Sequence, residues 1–123
     1  MRYPITPVPK PRQTQADRWK KRPPVLRYRA FADECRARKV QVPDCGAHIT
    51  FVLPMPSSWS NKKRDAMDGQ PHQARPDSDN LCKALFDAVL PEDCAVWDYR
   101  VTKLWGETGA IIIQDIEQQR EAA

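Results

Sequence analysis

The chain has 123 residues, 41% hydrophobic and 29% charged, with 20 Lys or Arg against 16 Asp or Glu and a formal net charge of +4. That length suits one domain spanning 1–123 and excludes two independent cores. No apolar run reaches the roughly 18 residues of a membrane span, and "MRYPITPVPKPR" lacks the apolar stretch of a signal peptide, so a cytosolic (cytoplasmic) protein is expected.

Residues 1–24 contain six prolines, so "YPITPV" suits a short edge strand and "PKPRQTQADRWKKRPP" an extended basic loop. Pro23 and Pro24 lead into a helix, "VLRYRAFADECRARK", with Tyr28, Phe31, Ala32 and Cys35 at helical spacing. Pro43, Asp44 and Gly46 make a turn before "AHITFVLP", a strand with Ile49, Phe51 and Leu53 on one face. Ser57 or Ser58 is expected to cap a short helix, "SWSNKKRDAM", ended by Gly69. The main helix starts after "PDSD", with Asp79 as N-cap and Leu81, Leu85, Ala88 and Val89 as its inward stripe. "AVWDYRVTKLWG" and "GAIIIQDI" read as a hairpin joined by Glu107, Thr108 and Gly109, and "EQQREAA", 117–123, as a polar tail. The order strand, helix, strand, helix, helix, strand, strand implies an α/β or α+β domain, a small mixed sheet with helices packed on it.

Charge is segregated along this order. Residues 1–40 carry twelve basic and three acidic side chains, a net of +9; the other 83 carry eight basic and thirteen acidic, a net of −5. Such a split suits a polyanionic partner, with phosphate held by one part and metal by the other; the plainer alternative is a solvated basic surface. Cys35, Cys45, Cys82 and Cys94 are irregularly spaced with no C-x-x-C pair, so free thiols are expected rather than a zinc cage.

Six of the acidic side chains fall within "RPDSDNLCKALFDAVLPEDCAVWD", Arg75 to Asp98. If "RPDSD" is extended, Asp77 and Asp79 share one side of the backbone, where like charges call for a compensating cation. Mg²⁺ suits one or two carboxylates together with water and phosphate. Lys83 follows Asp79 by one helical turn, in reach of the carboxylates or of a phosphate. Asp93 lies beyond a helix about 16 Å long and can return to Asp77 and Asp79 only if the following strand pairs alongside them. On spacing alone, caps and solvated charges remain the alternative.

The run from Asp77 to Lys103 closely resembles the RusA family of phage and prophage Holliday junction resolvases, matching D-x-D-N-L-x-K-x-x-x-D-A-L, an acidic pair, and V-x-D-x-x-V-x-K nearly end to end. The resemblance implies a RusA-like fold and a homodimeric, Mg²⁺-dependent endonuclease that makes paired nicks in four-way DNA junctions during recombination and DNA processing. By that likeness Asp77, Asp79 and Asp93 are metal ligands and catalytic carboxylates, and Lys83 the essential lysine. Two departures stand out. The acidic pair is Glu92 and Asp93 rather than two aspartates, which makes Glu92 an outer ligand. The basic segment "SSWSNKKRDAMDGQPHQA" is long and bears on junction specificity.

DNA affinity is expected from Lys20, Lys21, Arg22, Arg27, Arg29, Lys62, Lys63 and Arg64, and therefore to depend on salt. Trp19 and Trp59 suit stacking on exposed bases or ordinary packing; Trp97 and Trp105 suit the core or an interface. His48 is expected to be structural and His72 an exposed loop residue. "GAIIIQDI" offers a dimer edge if free, or else core filling. A nuclease acting on forks or flaps, a silent branched-DNA-binding protein, and a basic protein with a well-capped helix are the competing readings.

Overall fold

The computed structural model describes residues 1–11 and 22–116, except for the side chain of Asp93. Trp19, Lys20, Lys21 and the expected polar tail therefore lie outside the described residues. The apolar "AHITFVLP" run forms strand β2, Cys45–Pro54, with Ala47, Ile49, Phe51 and Leu53 buried on one face and Thr50 and Val52 on the other. A strand covered on both faces belongs inside a sheet. The sheet has four strands in the order β1-β4-β2-β3, the others being β1 (Arg2–Tyr3), β3 (Asp98–Gly106) and β4 (Ala110–Asp115).

Strand β2 runs parallel to β3 and antiparallel to β4, so the expected hairpin is split, with β2 inserted between its arms. The short connection after β3 crosses the end of β2, where Met55 N donates to Gly106 O at 3.0 Å. A side chain at Gly106 would run into Val52. Parallel pairing of β2 with β3 requires a crossover, which the intervening helices α2 (Asn61–Met67) and α3 (Ser78–Val89) supply.

Helix α1, Pro23–Ala37, starts at its two prolines and buries Val25, Phe31, Ala32 and Cys35. It packs on α3, which buries Leu81, Cys82, Ala84, Leu85, Phe86 and Ala88. Val89 of the expected stripe is only partly buried, and so is Tyr28, whose hydroxyl donates to Ala84 O at 3.1 Å. Arg36 Nε donates to Ala88 O at 2.8 Å and ties the same two helices at their other end. None of the four thiols forms a disulfide. Burial pushes Cys35 up to about 11 and Cys82 to about 12, so neither is a ready nucleophile.

Helix α2 is capped by Ser60, whose Oγ accepts from Lys63 N at 3.2 Å, rather than by Ser57 or Ser58. Trp59 N is turned back onto Pro56 O, which delays the helix start. Gly69 follows the helix with φ +77, the left-handed conformation expected of a terminating glycine.

The N-terminal segment crosses from sheet to helices. Its first strand pairs with Ile111 and Ile112, so β4 is not an edge there, and Ile111 and Ile113 fill the core. Tyr3 and Ile5 are buried, and Lys10 pairs with Asp87 of α3. Gly109 lies against the backbone of Thr6, with no room for a Cβ. Gly109→Ala is therefore expected to destabilise the fold by about 1–3 kcal/mol through displacement of this segment, read as a lower urea midpoint.

Candidate active site at the start of the acidic helix

The acidic motif enters α3 through a cis peptide between Arg75 and Pro76. Asp77 occupies the N-cap in extended conformation, its carbonyl accepting from Leu81 N at 3.1 Å, while its side chain makes no capping bond. Asp79, the expected N-cap, instead sits in the first turn, because Ser78 is already helical; its Oδ1 accepts from Asn80 N at 2.9 Å. The extended alternation assumed for "RPDSD" thus ends at Asp77. Both carboxylates are exposed, and neither forms an ion pair among the described residues. The positive end of the helix dipole favours negative charge there.

An open cleft of about 560 Å³ borders this helix start, lined by Pro9, Arg75, Pro76, Asp77 and Asn80. Arg75 and Asn80 were given no role from sequence, although they flank the two aspartates of the motif. Lys83 is exposed one turn beyond Asp79 and makes no ion pair among the described residues.

Asp93 begins a short 3-10 turn, Asp93–Ala95, beyond the other end of α3. Glu92 is exposed, with Cys94 Sγ 3.8 Å from its Oε2. No group of three or more His, Cys, Asp or Glu able to hold a metal stands together among the described residues, which do not include the Asp93 side chain. Strand β3 runs back to the aspartate loop but meets it at Lys103, so that Asp93, which precedes the strand, is left beyond the far end of α3 and is not brought to Asp77 and Asp79. His72 N donates to Lys103 O at 3.0 Å, and Lys103 Nζ donates to Ala74 O and Pro76 O, each at 2.7 Å. Lys103 closes the V-x-D-x-x-V-x-K run, a position to which spacing alone attached no chemistry.

The segment after α2 covers part of the outer edge of β3. Gly69 N donates to Trp105 O at 2.9 Å, and Trp105 N donates to Gln70 O at 3.0 Å. His72 is consequently buried, contrary to the exposed loop residue expected, with its ring 4.0 Å from that of Trp105. Burial, assisted by the nearby charge of Lys103, lowers its pKa and so favours the neutral imidazole. Trp59 also packs against Trp105 in a tilted contact, with ring centroids 4.8 Å apart, and Lys63 Nζ lies 4.3 Å from the Trp59 ring. His48 bonds Thr102 Oγ1 at 2.9 Å between neighbouring strands, a structural contact as expected. Trp97 is 73% exposed, which removes it from the core, because it precedes β3 in an irregular stretch held by its own N–H to Asp44 O at 3.1 Å.

Of the expected DNA-contacting residues, Arg27, Arg29, Lys62 and Lys63 are exposed, while Arg64 donates to Pro56 O at 2.9 Å and braces the α2 segment. Arg22 is the N-cap of α1. The family described as Endodeoxyribonuclease RusA matches residues 4–115. The chain belongs to the RusA family. No curated protein and no solved structure matches it. The RusA match takes in every helix and three of the four strands, and with it come endodeoxyribonuclease chemistry, junction-resolving activity and branched DNA as the partner. No helix among the described residues is long and apolar enough to cross a membrane.

Proposed function

We propose that this RusA protein is a cytoplasmic, Mg²⁺-dependent resolvase that acts as a homodimer, making paired nicks in opposed strands of a Holliday junction during recombination and repair. The observation that carries the reading is the pair of exposed carboxylates, Asp77 and Asp79, without an ion pair among the described residues, at a helix start bordering an open cleft. Their oxygen donors suit a hard divalent cation that retains water and phosphate ligands. When bound, Mg²⁺ supplies a lowered pKa for the attacking water and positive charge for the phosphoryl oxygens.

In this reading Asp77 and Asp79 hold the cation at the start of α3, while Asp93 as a third ligand and Glu92 as an outer one are what the family motif implies, both standing beyond the other end of that helix within the same chain. Lys83 sets its ammonium against the scissile phosphate, and Arg75 adds positive charge to the cleft wall. Lys20, Lys21, Arg22, Arg27, Arg29, Lys62, Lys63 and Arg64 neutralise phosphates farther along the arms, which makes binding salt-dependent. A two-fold dimer carries one site per subunit, as the two opposed cuts of a near-symmetric junction require.

The test is cleavage of a labelled four-way junction beside linear duplex, fork and flap controls, with Mg²⁺ or with EDTA. Paired nicks confined to the junction and abolished by EDTA are expected. Preferential cutting of forks or flaps would replace the substrate while keeping the chemistry, and binding without any cutting would overturn the enzyme reading.

A further inference from the structure

Among the charged residues of β3 to which the site reading gives no part is Lys103. Lys103 Nζ bonds the carbonyl oxygens of Ala74 and Pro76, the two residues that bracket Arg75 immediately before Asp77. Its own carbonyl accepts from His72 N, so one residue of the strand grips the loop at three points. Residues 73–76 make no backbone-to-backbone hydrogen bond among the described residues. Lys103 is therefore their main polar anchor to the sheet. An ammonium is well suited to this task, because it has three donors and bonds from a charged donor are shorter and stronger than neutral ones. The strand beneath it is firm: Lys103 lies beside Phe51 of the buried central strand.

We propose that Lys103 is a positioning residue of the active site: its ammonium clamps the Ala74–Pro76 loop to β3 and so sets where Asp77 and Asp79 present their carboxylates. The proposal rests on the reading of those two aspartates as metal ligands. A direct contact with DNA phosphate is the less economical role, since two of the three donors are already engaged by the loop.

The experiment compares wild type, Lys103→Met and Lys103→Arg with Asp79→Asn as reference, all in the full chain. Amide exchange by NMR without metal follows His72 and Leu81, whose N–H groups bond Lys103 O and Asp77 O on either side of the loop. Junction cleavage gives the Mg²⁺ concentration for half-maximal rate. For Lys103→Met, both amides are expected to exchange faster while β2 amides keep their protection, and the Mg²⁺ requirement to rise about tenfold or more, as when a group that orients a metal ligand is lost. Junction binding in EDTA should not change. Lys103→Arg, which keeps charge and donors, is expected to recover part of both effects.

Unchanged exchange at both amides would overturn the clamp. Faster exchange with an unchanged Mg²⁺ requirement would overturn its service to the site, leaving a purely structural bond. A wild-type rate from Asp79→Asn would instead overturn the metal-ligand reading, and the two failures are separable because the exchange measurement involves neither metal nor cleavage.

Discussion

Asp79→Asn is expected to lower single-turnover junction cleavage by about 100- to 1,000-fold, the range for removing one group that stabilises developing charge. The replacement keeps the shape of the side chain and removes only its charge. Asp79 is exposed and, among the described residues, accepts one local bond, from Asn80 N, so the fold has little to lose. Its favourable interaction with the helix dipole is worth about 0.3–1 kcal/mol, a small shift in melting temperature. Junction binding in EDTA should hold or tighten slightly, since a negative charge near the DNA backbone has been removed. Rate, melting and binding together separate a lost ligand from a lost fold. Cleavage within about threefold of wild type would take Asp79 out of the ligand set, because charge-stabilising groups of this kind contribute far more than that.

Phe51→Ala is expected to carry the largest stability effect, about 3–5 kcal/mol, from lost burial and the cavity left behind. Phe51 is fully buried at the middle of the central strand, between Lys103 of β3 and Ile111 of β4. Against a total stability of about 5–15 kcal/mol this is a large share, and urea unfolding should show a much lower midpoint with little change in slope. The remaining folded molecules should still cut at reduced temperature, since Phe51 contributes no group to the cleft. A cost under about 1 kcal/mol would mean that the neighbouring side chains collapse into the space.

Where the signals were local, the sequence was readable. The apolar stripe of α3 emerged with Leu81, Leu85 and Ala88 buried, and α1 began at the proline pair. The element order matched, apart from a short 3-10 turn before β3. Cap positions shifted by two or three residues, from Ser57 or Ser58 to Ser60 and from Asp79 to Asp77, because a neighbouring turn or an already helical residue decides which carbonyl opens the ladder. Strand partners were harder to read. Alternation shows which face of a strand is apolar but not which strand lies beside it, and proximity in sequence suggested a β3–β4 hairpin where β2 intervenes.

What the amino-acid sequence determined by itself was therefore the secondary structure, the separation of basic and acidic halves, and the motif that marks the chain as a RusA nuclease. These depend on residue types at short spacing. Only the tertiary structure decided that His72 is buried against Trp105, that Trp97 stands in solvent, and that Lys103 reaches residues 27 and 29 positions away to hold the aspartate loop. Those outcomes depend on which segments meet at the edge of β3. That meeting is set by burying β2 between two strands, and the energy responsible comes from the whole core rather than from any local pattern.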